Sequence, residues 1–88
     1  MSTITAEQGS QPTIDELTIG IIDAATRAGV SKARLLLRLP TGDIAVTMTV
    51  GESRAVEGYG ILTLDDVVAD QPAPNRPTVS LTVTPEEP

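Results

Sequence analysis

Residues 44–50 alternate without a fault: Ile44, Val46, Met48 and Val50 are apolar, while Ala45, Thr47 and Thr49 are small or polar. Such a period of two is the mark of a half-buried strand. The run before it, Ala33, Leu35, Leu37 and Leu39 against Arg34, Leu36 and Arg38, has the same period, and Pro40-Thr41-Gly42-Asp43 between the two is a turn signal. Pairing Leu39 with Ile44, Leu37 with Val46, Leu35 with Met48 and Ala33 with Val50 places all eight on one face. A slip of one residue would set apolar against polar positions, so the pattern selects a hairpin register. The opposite face carries Arg34, Leu36 and Arg38 beside Ala45, Thr47 and Thr49.

Upstream the period changes. Thr13 and Glu16 have the spacing of a capping box, and Ile14, Leu17, Ile21, Ala25 and Ala28 fall on one side of a helical wheel. Asp15, Glu16, Asp23 and Arg27 fall on the other, and Gly29 is the expected stop. The spacing therefore predicts a helix over 13–28. Ile19 points to its polar side with Ile22 beside it, which makes the pair a candidate interaction patch.

Residues 51–58 (GESRAVEG) read as a loop, YGILTL as a third strand ended by Asp65 and Asp66, and TVSLTVT as a fourth. The segment ADQPAPNRP cannot continue a ladder and reads as a surface connector. The expectation is an α+β domain, with one N-terminal helix packed on a four-stranded antiparallel meander sheet. It would span residues 13–85, after a flexible leader at 1–12 and before an acidic tail at 86–88. An extra edge strand at STIT is a weaker reading, and no internal repeat is visible.

Composition narrows the chemistry. The 88 residues include no Cys, His, Trp or Phe and one aromatic, Tyr59. Histidine-based triads, thiol nucleophiles and Cys/His zinc sites are therefore excluded. Lys32 is the only lysine, and Ser31 beside it has no supporting motif, so an enzyme is not expected, nor is a cofactor or a metal. Asp65, Asp66 and Asp70 match no EF-hand spacing. Gly58-Tyr59-Gly60 is not a phosphate loop, because no helix pattern follows it.

The formal charge of −6 disfavours nucleic acid as a partner. Four of the six cations nevertheless cluster in Arg27, Lys32, Arg34 and Arg38. No apolar run is long enough to span a membrane as a helix, and the start lacks the charged and apolar regions of a signal peptide. A cytoplasmic location is the expectation. A domain this small buries a modest core, and homodimer formation is a common remedy.

A capped helix, ARLLLRL, the Thr-rich strand IAVTMTV, a Gly-containing third strand and a closing VSLTVTP together resemble the bacterial trypsin-co-occurring domain family, over roughly residues 13–85. The resemblance implies a small non-catalytic adaptor, found alone or fused beside trypsin-like peptidases in bacterial conflict systems. It transfers no binding residue.

The functional expectation is a protein-interaction module with a protein partner, such as a peptidase-containing defence protein. Its candidate partner-binding residues are Arg34, Leu36, Arg38, Thr47 and Thr49 on the open sheet face, with Ile19 and Ile22 on the helix. The alternative is a small phage virion or assembly protein, docking through the proline-rich connector and tails.

Overall fold

The computed structural model describes residues 2–69 and 75–85. Its strands are β1 (Ser2–Glu7), β2 (Thr13–Ile14), β3 (Leu17–Arg27), β4 (Val30–Leu39), β5 (Gly42–Thr49), β6 (Ser53–Val56), β7 (Gly60–Val68) and β8 (Thr78–Thr84). They form two antiparallel four-stranded sheets, ordered β2-β3-β4-β5 and β1-β8-β7-β6. The apolar faces of the two sheets close on each other as a sandwich. Leu17, Ile19, Ile21, Leu35, Leu37 and Met48 from one sheet meet Leu62, Leu64, Val79, Leu81 and Val83 from the other, and all are buried. No polar or charged residue is buried among the described residues.

The fold is thus all-β, and the expected helix over 13–28 is overturned. Thr13 and Ile14 pair with Thr18 and Leu17 across a two-residue turn, in which Asp15 and Glu16 take φ of 48° and 69°. Positive φ at both central residues gives the turn twist that suits a tight hairpin. What resembled a capping box is this hairpin, with the Thr13 and Thr18 hydroxyls 3.0 Å apart.

The helical period has a second source. The β3–β4 register shifts between Ile21 and Asp23, so Ile22 is the extra residue of a β-bulge and Ala24 returns to the core. A turn after Ile14 and a bulge after Ile21 leave buried residues at 14, 17, 21 and 24, which is helical spacing produced by a strand. The β-branched content of the segment and Gly20 within it agree with the extended form. Ile19, assigned to an exposed patch on the helix reading, is 0% exposed in the core.

Further expectations are corrected. The flexible leader at 1–12 contains β1, which pairs with β8 from Ser2↔Val83 to Glu7↔Thr78. Residues 51–58 include β6, and β7 continues through Asp65 and Asp66 because a second bulge between Leu64 and Asp66 absorbs Asp65. The β4–β5 hairpin keeps the expected facing, but its register is displaced by two. Leu39 pairs with Gly42, Leu37 with Ile44 and Leu35 with Val46, because only Pro40 and Thr41 make the turn. The core face is therefore covered by a second sheet rather than by a helix. The closing strand at TVSLTVT is found as expected, while the acidic tail at 86–88 lies outside the described residues.

The two sheets are built by a repeated chain path, which the sequence does not announce. The Gly9 amide donates to the Ile21 carbonyl and the Ile21 amide to the Ser10 carbonyl; likewise Gly51 donates to Leu64 and Leu64 to Glu52. In both places the bulge follows, at Ile22 and at Asp65. The Gln8 amide donates to the Pro77 carbonyl as the Val50 amide does to Ser31. Each half sends its first strand, β1 or β5, to the other half's sheet and builds three strands of its own, so the halves are exchanged around a pseudo-two-fold axis.

Candidate functional site

Alternation along β4 turns Ala33, Leu35 and Leu37 inward and Lys32, Arg34, Leu36 and Arg38 outward. On β3 the outward neighbours are Ala25 opposite Lys32, Asp23 opposite Arg34, Gly20 opposite Leu36 and Thr18 opposite Arg38. On β5 they are Thr49, Thr47, Ala45 and Asp43. Arg34, Leu36, Arg38, Thr47 and Thr49 are thereby brought onto one face, as the alternation alone implied.

Arg27 joins them near the free end of the β3–β4 hairpin, so the whole cation cluster lies on this face. Arg34 and Arg38 stand roughly 13 Å apart along the strand. Among the described residues no carboxylate forms an ion pair with either guanidinium. Leu36 is half-buried opposite Gly20, where an added Cβ would sit in ordinary contact, 3.5 Å from the Leu36 Cβ.

Ile22 flanks the face from the bulge and is 45% exposed. Ile19, one strand residue beyond Gly20 on the buried side, takes no part. An open depression at the hairpin's free end is lined by Asp23, Ala25, Arg27, Val30 and Lys32. The contribution of Asp23 was not apparent from the sequence, where the helix reading set it apart from Arg34. Period-two reading of β3 with one skipped residue would have joined them.

The equivalent face of the other sheet is different. There the hydroxyls of Thr3 and Thr82 lie 3.0 Å apart, those of Thr5 and Ser80 3.0 Å, and those of Ser53 and Thr63 2.7 Å. Thr82 also donates to the Asp65 carboxylate. This face consumes its own polar groups.

Other candidates are less organised. Ser31 and Lys32 are adjacent on a strand and so point to opposite faces; the Ser31 hydroxyl is 2.7 Å from that of Thr26. Asp66 accepts from the Val67 amide at 2.9 Å, and Asp70 lies outside the described residues, as does most of the proline-rich connector. No group of three or more His, Cys, Asp or Glu among the described residues could hold a metal ion. Tyr59 is half-buried against the core at the β6–β7 turn, beside an open cleft that includes Glu16, Glu57 and Pro40. No helix among the described residues is long and apolar enough to cross a membrane.

No protein-family model matches the chain, and no curated protein or solved structure matches it.

Proposed function

We propose that the chain is a non-catalytic protein-interaction module whose working surface is the outer face of β3, β4 and β5. The observation that carries this reading is the row Lys32, Arg34, Leu36 and Arg38. It is positively charged on a chain of net charge −6, and among the described residues its guanidinium groups have no carboxylate partner, while in the equivalent row of the other sheet the Ser80 and Thr82 hydroxyls meet those of Thr5 and Thr3.

The chemistry fits an acidic, partly apolar polypeptide. Arginine forks bind carboxylates in pairs, and Leu36 and Ile22 supply apolar contact between them. Asp23 and Asp43 interrupt the field, which suits discrete carboxylates better than a continuous phosphate backbone. The sequence resemblance suggests a peptidase-containing protein of a bacterial conflict system as the partner, met in the cytoplasm. The capped helix that opened that resemblance is replaced by the β2–β3 hairpin, so the partner class now rests on the strand pattern and the cationic face.

The test is a comparison of faces. Partners retained from native cells are identified by mass spectrometry, and their affinity is measured by titration calorimetry. Arg34→Glu with Arg38→Glu should weaken binding at least tenfold with an unchanged circular dichroism spectrum, while Thr5→Lys on the other face should leave it unaltered. Unchanged binding by the double variant overturns the reading.

A further inference from the structure

A sandwich of two open sheets has four edge strands, and unpaired edges recruit other strands unless something prevents it. Here two edges are blunted. β2 is two residues long and follows Pro12, and β6 is four residues long, with Arg54 opposite the buried Leu62 and so on the inward side. β1 and β5 carry no such device within their central residues.

The backbone of β5 is open over a defined length. Leu39 and Gly42 close the two-residue turn, and the Val50 amide donates to Ser31, so Ile44, Val46 and Met48 bond to β4. The amides and carbonyls of Asp43, Ala45 and Thr47 therefore face outward from the sheet edge. At Thr49 the edge is closed: its amide donates to the Glu52 carboxylate at 3.0 Å and its carbonyl accepts from the Glu52 amide at 2.9 Å.

We infer that this edge pairs with its own copy, antiparallel about a two-fold axis through Ala45, so that two chains share one continuous eight-stranded sheet. The free groups are self-complementary in that register. Ala45 meets Ala45 and Asp43 meets Thr47, using every open amide between the turn and the Glu52 cap. The side chains agree on both faces. On the outer face the row through Arg34 and Thr47 continues into Asp43 and Arg38 of the second copy, so each Asp43 is set between cations of both chains.

The central outer row becomes Leu36, Ala45, Ala45 and Leu36. On the inner face Ile44, which points coreward yet is 38% exposed because it lies on the edge, gains Val46 of the second copy as its cross-strand neighbour. The β1 edge is shorter: Ile4 and Ala6 bond to β8, and the Glu7 carbonyl accepts from the Ser10 amide and hydroxyl, so Thr3 and Thr5 are the central residues whose outward groups are open, one fewer than on β5.

Sedimentation of the full chain tests this inference, which stands apart from the partner reading above. The wild type should sediment at twice its 9.2 kDa mass. Ala45→Pro removes an outward amide that makes no bond to β4, and should halve that mass. Ala45→Lys and Ala45→Glu place like charges across the axis, so each alone should be monomeric and a one-to-one mixture should restore the dimer. Thr5→Lys, on the β1 edge, should leave the dimer intact. A wild type that stays monomeric up to the concentration of an NMR sample overturns the inference and leaves the edge to a foreign strand. A dimer that survives Ala45→Lys, or dissolves with Thr5→Lys, overturns it in favour of another surface.

Discussion

β4 and β8 occupy equivalent places in the two halves of the molecule, and their inward residues are interchangeable: Ala33, Leu35 and Leu37 against Val79, Leu81 and Val83. Their outward residues are not. Lys32, Arg34, Leu36 and Arg38 stand where the other half has Thr78, Ser80, Thr82 and Thr84. The shared inward pattern builds the sandwich, so the difference outside is free to serve something else. A threonine-rich face that bonds to itself has little left to offer, whereas cations with no partner among the described residues leave their hydrogen-bonding capacity to another molecule.

The largest effect that separates the halves is expected at the hairpin after β6. Gly60 has φ of 126°, and a Cβ there would lie 2.2 Å from the Thr84 carbonyl oxygen; the corresponding place in the first half holds Leu17. Gly60→Ala should cost more than about 3 kcal/mol in urea denaturation, because backbone must move as well as adopt a strained conformation. Gly29→Ala, at φ 78° in open space, should cost only about 1 kcal/mol.

Next come Ile19 and Leu62, matched positions that are both fully buried. Ile19→Ala and Leu62→Ala should each cost about 2–5 kcal/mol. A negligible loss for Ile19→Ala would show that the first half does not pack as its equivalent does. Smaller still is the contrast on the outer faces. Ser80→Ala, which removes the hydroxyl opposite Thr5, should cost about 1 kcal/mol. Arg34→Ser should stay within about 0.5 kcal/mol, since among the described residues its head group has no hydrogen-bond or ion-pair partner.

The β4–β5 face was legible because strict alternation fixes which side chains share a side, even when the register is off by two. Arg34, Leu36, Arg38, Thr47 and Thr49 were grouped correctly for that reason. The first third of the chain was not, because a turn at Asp15-Glu16 and a bulge at Ile22 each break the period of two. Local propensity held the contrary signal in Thr18, Ile19, Ile21 and Ile22, but periodicity outweighed it. The second bulge misled in a milder way: two acidic residues at Asp65-Asp66 look like a strand end, whereas one is looped out and the ladder resumes. The duplication was hidden because the halves share burial pattern and hydrogen bonds, with few identical residues.

The exchange of first strands has a consequence for how the molecule is made. β1 leaves the ribosome well before β8, its ladder partner among the described residues, and β2 to β7 are made in between. Until β8 emerges the β2-β3-β4-β5 meander can assemble from near neighbours, while β1 waits with its amides unpaired. Completion of the second sheet is therefore a late event that joins strands about seventy residues apart in the sequence, and a polypeptide halted before Thr78 carries an orphan strand for quality control to find.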